Sequence, residues 1–300
     1  MSPRSSFHPS TFQPFLLSTL PLHFTAQLLH RATPNTLPNS TITPLSHLVG
    51  YQDKAAAKEG WNLICGTFEK VDGSAMTLAD AKPNAAFSWM YSDTIQFLDH
   101  GGGTRVREDG LPAIYGYFTE MDGAPADGWY HFITATEMGE FLPAEENDDF
   151  SYGAGAVIQT FDKTAGFMFS GAVHKGAPTI IAAKEGWNLI GNPTPCDLAL
   201  TDVTPNGAFS WMYSDTIQFL DHGGGTRVRE DGLPAIYGYF TEMDGAPANG
   251  WYHFITATEM GEFLPADEID GDLEAGTAFV VQTFDKTAGL QFKAALPAED

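Results

Sequence analysis

AFSWMYSDTIQFLDHGGGTRVREDGLPAIYGYFTEMDGAPADGWYHFITATEMGEFLPA, residues 86–144, is written out again as residues 208–266, with Asp127 against Asn249 as the single difference. Looser matches flank it: AAKEGWNLI starts at Ala56 and at Ala182, and QTFDKTAG at Gln159 and at Gln282. A tandem repeat comes before every other reading, because each copy must be one folding unit. The 300 residues therefore divide into two units of roughly 120 residues, each long enough to bury a core.

Within the stretch, Thr94–Phe97, Ile114–Phe118 and Trp129–Thr134 are rich in aromatic and β-branched residues. They are separated by the turn clusters His100-Gly101-Gly102-Gly103, Glu108-Asp109-Gly110-Leu111-Pro112 and Asp122-Gly123-Ala124-Pro125. Short strands with such frequent turn signals predict a sandwich or barrel. Upstream, LVGYQDKAAAKEGWNLICGTF reads as a strand, a turn at Lys58-Glu59-Gly60 and a returning strand from Trp61. The next segment, where the copies diverge most, reads as a loop with one short helical turn. Downstream, Phe167–Ser170 corresponds to Leu290–Lys293: Phe167/Leu290 and Phe169/Phe292 stay apolar, while Met168/Gln291 and Ser170/Lys293 accept polar groups. That period of two predicts the last strand of a hairpin, one face buried, after the turn Asp162–Gly166. The expected fold is all-β: two tandem near-identical antiparallel β-sandwich or barrel-like modules, residues 48–173 and 178–296, behind a disordered leader of residues 1–47. The linker Gly171–Pro178 is short enough that the modules should touch.

A net charge of −23 repels phosphate, which argues against nucleic acid as a partner and against docking on an anionic membrane. No run approaches the ~18 apolar residues of a membrane span. Residues 1–52 contain no Asp or Glu, and all 38 acids lie beyond them. This acid-poor beginning reads as a targeting segment or as a disordered leader. Its apolar patch PFLLSTLPLHFTAQLL is interrupted by Pro21 and His23 and lacks a small-x-small cleavage site.

The entry strand GWNLIGNP (Gly186–Pro193), the aromatic middle and the closing GTAFVVQ (Gly276–Gln282) resemble a β-repeat module of secreted and surface-associated bacterial proteins, usually of unassigned function. The resemblance spans roughly residues 48–296. It implies an exported, bacterial, mostly β protein located outside the cell or on its surface, and it brings no catalytic residues.

Candidate chemistry is sparse. His100-Gly101-Gly102-Gly103, repeated at His222, is similar to an esterase oxyanion-hole element, but no G-x-S-x-G elbow accompanies it, so it reads as a glycine-rich hairpin loop. Asp93, Asp99, Glu108, Asp109, Glu120 and Asp122 all have twins in the second copy; a glycosidase would need two such carboxylates in one cleft. The acid-dense loops Glu145–Asp149 and Asp267–Asp272 offer oxygen ligands to calcium, with Asp267, Asp270 and Asp272 as the candidate metal residues, though without EF-hand spacing. The repeated tryptophans and tyrosines read first as core; Trp129 and Trp251, next to turns at Asp127-Gly128 and Asn249-Gly250, are the pair nearest to exposure among them, and with Tyr130 and Tyr252 they are the candidate sugar-stacking residues. Cys65 aligns with Gly191 and Cys196 falls in the divergent loop, so two unpaired thiols are expected. Two functional classes stand: a non-catalytic surface or adhesion scaffold binding a glycan or cell-wall surface, with self-association left open, and a carbohydrate-active hydrolase. Duplicated binding faces gain effective concentration, whereas a duplicated active site at best doubles a rate, which favours the first class.

Overall fold

The computed structural model describes residues 49–55, 60–99, 101–145, 150, 152–174, 176–182, 185–221, 223–266 and 272–294. All of them fall within one unit, Ile42–Asp300; the expected leader lies outside the described residues. The described chain is mostly β, in several antiparallel sheets. The first half contributes β1 (Val49–Ala55), β2 (Gly60–Cys65), β3 (Lys82–Pro83), β4 (Thr94–Gln96), β5 (Ile114–Phe118), β6 (Gly128–His131), β7 (Gly155–Thr160) and β8 (Gly166–Ala172). The second contributes β9 (Thr179–Ile181), β10 (Gly186–Gly191), β11 (Leu198–Ala199), β12 (Val203–Pro205), β13 (Thr216–Gln218), β14 (Ile236–Phe240), β15 (Gly250–His253), β16 (Asp272–Leu273), β17 (Ala278–Thr283) and β18 (Gly289–Phe292).

Each half pairs the strands of its two larger sheets alike, and the second half has in addition the two-stranded sheet β11-β16. A five-stranded sheet runs β2-β7-β4-β5-β6 in the first and β10-β17-β13-β14-β15 in the second, and three-stranded sheets run β1-β8-β3 and β9-β18-β12. Equivalent residues sit in equivalent registers: Ile95 opposes Ile158 and Tyr115, while Ile217 opposes Val281 and Tyr237. One cluster in each half joins residues of both sheets: Ile95, Tyr115, Trp129 and Ile158 with Phe167, and likewise Ile217, Tyr237, Trp251 and Val281 with Leu290. Central strand β7 is buried on both faces, with Ala156, Val157 and Ile158 all at 0% exposure. That is why its sequence is a continuous apolar run rather than an alternation.

Two strand pairings differ from the sequence expectation. The β1 strand pairs with β8 and β2 with β7, so β1 and β2 lie in different sheets and not in one hairpin; Lys58 and Glu59 of the expected turn lie outside the described residues. Likewise the turn between β7 and β8 carries the chain from one sheet to the other. Period two reports which face is buried, and it does so whichever strand lies alongside. Phe167, Leu290 and Phe292 are buried and Gln291 is exposed, as the alternation requires.

The strand expected over Trp129–Thr134 stops at His131, where the chain turns into a helix whose last part, Thr134–Met138, is a π-turn. Thr136 Oγ1 donates back to Phe132 O at 2.8 Å, and Gly139 ends the turn in left-handed backbone at φ 68°. Ala-Thr-Glu-Met-Gly is a short helix with its glycine stop. A second cluster, Phe118, Ala124, Tyr130 and Ala135 against Trp89, Phe132 and Phe141, packs this turn onto the sheet. No helix among the described residues is long and apolar enough to cross a membrane.

Candidate functional site

Each half holds a pair of aromatic rings in solvent. Tyr91 ends the 3₁₀ turn Trp89–Tyr91, and the next residue, Ser92, is in left-handed backbone at φ 63°. A side chain there costs about 1–2 kcal/mol, yet Ser214 repeats the conformation. Asp93, at 0% exposure, holds it in place. The Ser88 N–H donates to Asp93 Oδ2 at 2.9 Å, and the Phe161 N–H donates to Asp93 Oδ1 at 2.7 Å. One carboxylate thus clasps the 3₁₀ turn to the turn after β7, 68 residues further on.

The clasp sets Tyr91 beside Phe161. Their rings lie 6.4 Å apart at 22°, with the side chains 63% and 69% exposed. In the second half Asp215 accepts from Ser210 N–H at 2.8 Å and from Phe284 N–H at 2.7 Å, and Tyr213 lies 5.6 Å from Phe284 at 21°. Burial pushes the Asp215 carboxyl above its ordinary pKa against the pull of those two N–H donors, and Asp285 adds repulsion.

The turn bearing Phe161 is closed by hydrogen bonds to one carboxylate. Asp162 Oδ1 accepts from the Thr164 N–H at 2.8 Å and from its hydroxyl at 2.7 Å, and those donors hold the Asp162 carboxyl below its usual range. Tyr91, Phe161, Asp162 and Lys163 line a shallow depression, and Met90, 70% exposed, follows Trp89 on the same turn. The arrangement leaves two near-parallel exposed rings edged by one anion and one cation, so an apolar ligand face can meet a ring while polar groups meet the rim.

The candidate sugar-stacking residues are in the core, the reading the sequence favoured for the aromatic residues as a set. Trp129 is 5% and Trp251 3% exposed. Their indole N–H groups donate to Ala81 O at 2.9 Å and Val203 O at 2.8 Å, and Trp129 meets Phe87 and Tyr117 edge to face. Tyr130 and Tyr252 are also buried, with their hydroxyls donating to Ala126 O and Ala248 O. The adjacent turns expose their own backbone, but the strands that follow aim these rings inward. A core ring that can satisfy its polar atom on a nearby carbonyl needs no contact with water.

The carboxylates are mostly engaged by backbone. Asp99 Oδ1 accepts from Gly101 and Gly103 N–H, closing the glycine-rich loop, and Asp122 Oδ2 accepts from the Thr119 N–H and hydroxyl. Asp127 and Asn249, the single difference between the stretches, do the same work: each Oδ1 accepts from Glu120 or Glu242 N–H at 2.9 Å. Among the described residues Asp109 and Glu145 share one cation, the buried Arg107, at 2.9 and 3.9 Å from its guanidinium. The Arg107 guanidinium holds the Asp109 carboxyl below its usual range, which is the opposite of what a general acid needs. Among the described residues no group of three or more His, Cys, Asp or Glu could hold a metal ion. Asp267 and Asp270 lie outside the described residues, and Asp272 pairs through its backbone with Ala199. His100 and His222 also lie outside them. Neither Cys65 nor Cys196 is in a disulfide, and the Cys65 thiol donates to Asn192 O at 3.2 Å.

Sequence reasoning missed Tyr91 and Phe161. A phenylalanine within the turn Thr-Phe-Asp-Lys-Thr, kept in both copies, was the available signal, since a turn has little core to offer a ring; its pairing with Tyr91 was not legible. No family model matches this chain, and neither does any curated protein or solved structure.

Proposed function

We propose that the chain is a non-catalytic, exported, surface-associated protein of two tandem near-identical β-sandwich modules, each presenting one aromatic platform that binds glycans. The observation that carries this reading is the duplicated pair Tyr91/Phe161 and Tyr213/Phe284, held in solvent by a buried carboxylate clasp. Exposed near-parallel rings with charged groups at their edge match the flat C–H face and peripheral hydroxyls of a pyranose. Two platforms on one chain turn the second contact into an intramolecular event. The hydrolase alternative has less support, because Asp109 and Glu145 are both engaged by the guanidinium of Arg107.

The test is co-sedimentation of the full chain with chitin and with purified peptidoglycan, using wild type, Tyr91→Ala/Phe161→Ala, and a variant that adds Tyr213→Ala/Phe284→Ala. Binding should weaken by up to ~10²-fold on loss of one platform and disappear on loss of both. Undiminished binding by the four-substitution variant would remove the platforms from the account. Release of soluble sugar that ceases on substituting Asp109 or Glu145 would move the protein to the hydrolases.

A further inference from the structure

Each repeated stretch carries three methionines, Met90, Met121 and Met138 in the first half and Met212, Met243 and Met260 in the second. All six are between 68% and 95% exposed, whereas Met76, outside the stretch, is 3% exposed. Each sits on a short turn. Met90 and Met212 lie on the 3₁₀ turns Trp89–Tyr91 and Trp211–Tyr213, Met121 and Met243 on Glu120–Asp122 and Glu242–Asp244, and Met138 and Met260 end the π-turns. Methionine is among the residues most often found inside a protein, yet none of these six belongs to a buried cluster.

The turns are held by other groups. Trp89 stacks on Phe118 with ring centroids 5.1 Å apart, and Trp211 stacks on Phe240 at the same distance. Asp122 and Asp244 each accept from a threonine N–H at 2.8 Å, across the turns that bear Met121 and Met243. Gly139 and Gly261 stop the π-turns in left-handed backbone. The six thioethers can therefore become polar without loss of packing, whereas an oxygen added to a core methionine disrupts its surroundings.

We propose that these six methionines are oxygen-accepting sites, each converted by a hydroperoxide to methionine sulfoxide while the fold is retained. The sulfur lone pair attacks one peroxide oxygen, and the S–O bond forms as the O–O bond breaks. With hydrogen peroxide, the departing hydroxide takes the proton left on the transferred oxygen and leaves as water. Sulfur is oxidised by two electrons and the peroxide is reduced by two. An uncharged peroxide is the class of oxidant that this surface admits, because a net charge of −23 repels anionic oxidants.

Treatment of the full chain with hydrogen peroxide tests this, with peptide mass spectrometry for occupancy and thermal melting for the fold. All six sites should fill at comparable rates and Met76 should stay reduced, with the melting temperature moved by no more than about 2 °C. A chain carrying Met90→Leu, Met121→Leu, Met138→Leu and the three equivalent changes in the second half should melt within the same range of untreated wild type. It should consume six fewer equivalents of peroxide per chain, one for each thioether removed. Any of the six left unfilled, Met76 filled as fast as they are, or a treated chain that melts more than about 2 °C lower while Met76 is still reduced would overturn the proposal. So would a leucine variant that consumes as much peroxide as wild type.

Discussion

Two sets of rings in the same repeat have opposite fates. Trp129 stands beside a turn and is buried, whereas Tyr91 and Phe161 sit within turns and are exposed. The difference lies in what each neighbouring segment fastens. The Trp129 indole is satisfied by Ala81 O inside the core, while Asp93 spends both carboxylate oxygens on the two backbones that carry Tyr91 and Phe161. The backbones are thereby fixed and the rings left outside. Exposure of an aromatic ring is thus set by where its backbone is fastened, not by its distance from a turn.

Substitutions should separate the two sets. Trp129→Ala has the largest expected effect: the lost packing and the cavity should cost about 3–5 kcal/mol by chemical denaturation, and Trp251→Ala should match it. A loss under about 1 kcal/mol would contradict burial. Next comes Asp93→Asn, which keeps one acceptor and turns an amide N–H toward the other backbone donor. About 1–3 kcal/mol should be lost, together with weaker glycan binding as the platform loosens.

Strand β6, which buries Trp129, also buries His131, and β15 buries His253. Burial holds both imidazoles below their ordinary pKa of 6.5. The unfolded chain then binds more protons than the folded one as pH falls below about 6.5, so stability is full above that value and is lost on acidification toward the folded-state pKa. Melting at pH 7 should exceed melting at pH 5, and His131→Gln/His253→Gln should flatten the difference; an unchanged slope would show that other groups cause it. Tyr91→Ala/Phe161→Ala should alter stability by no more than about 0.5 kcal/mol while reducing binding. Asp127→Asn should change neither, because the acceptor oxygen that the turn uses is retained.

The sequence made some of this legible and hid the rest for physical reasons. The repeat, the strands over Thr94–Gln96 and Ile114–Phe118, and the buried face of Phe167 and Leu290 follow from local pattern. The exchange of β1 and β8 between sheets does not, because alternation is blind to partners. The helix after His131 was written in Ala-Thr-Glu-Met-Gly but was masked by the β-rich run before it. The platform joins residues 68 positions apart through a single buried acid, a contact that no window along the chain contains.

Hydroxyl-radical footprinting of the full chain, with and without soluble chitin oligosaccharides, tests the central claim most directly. Tyr91, Phe161, Tyr213 and Phe284 should oxidise rapidly in the free protein and be protected together on adding sugar, while Trp129 and Trp251 stay unmodified in both states. Rapid oxidation of Trp129 and Trp251, or full oxidation of the four platform rings under saturating sugar, would contradict it.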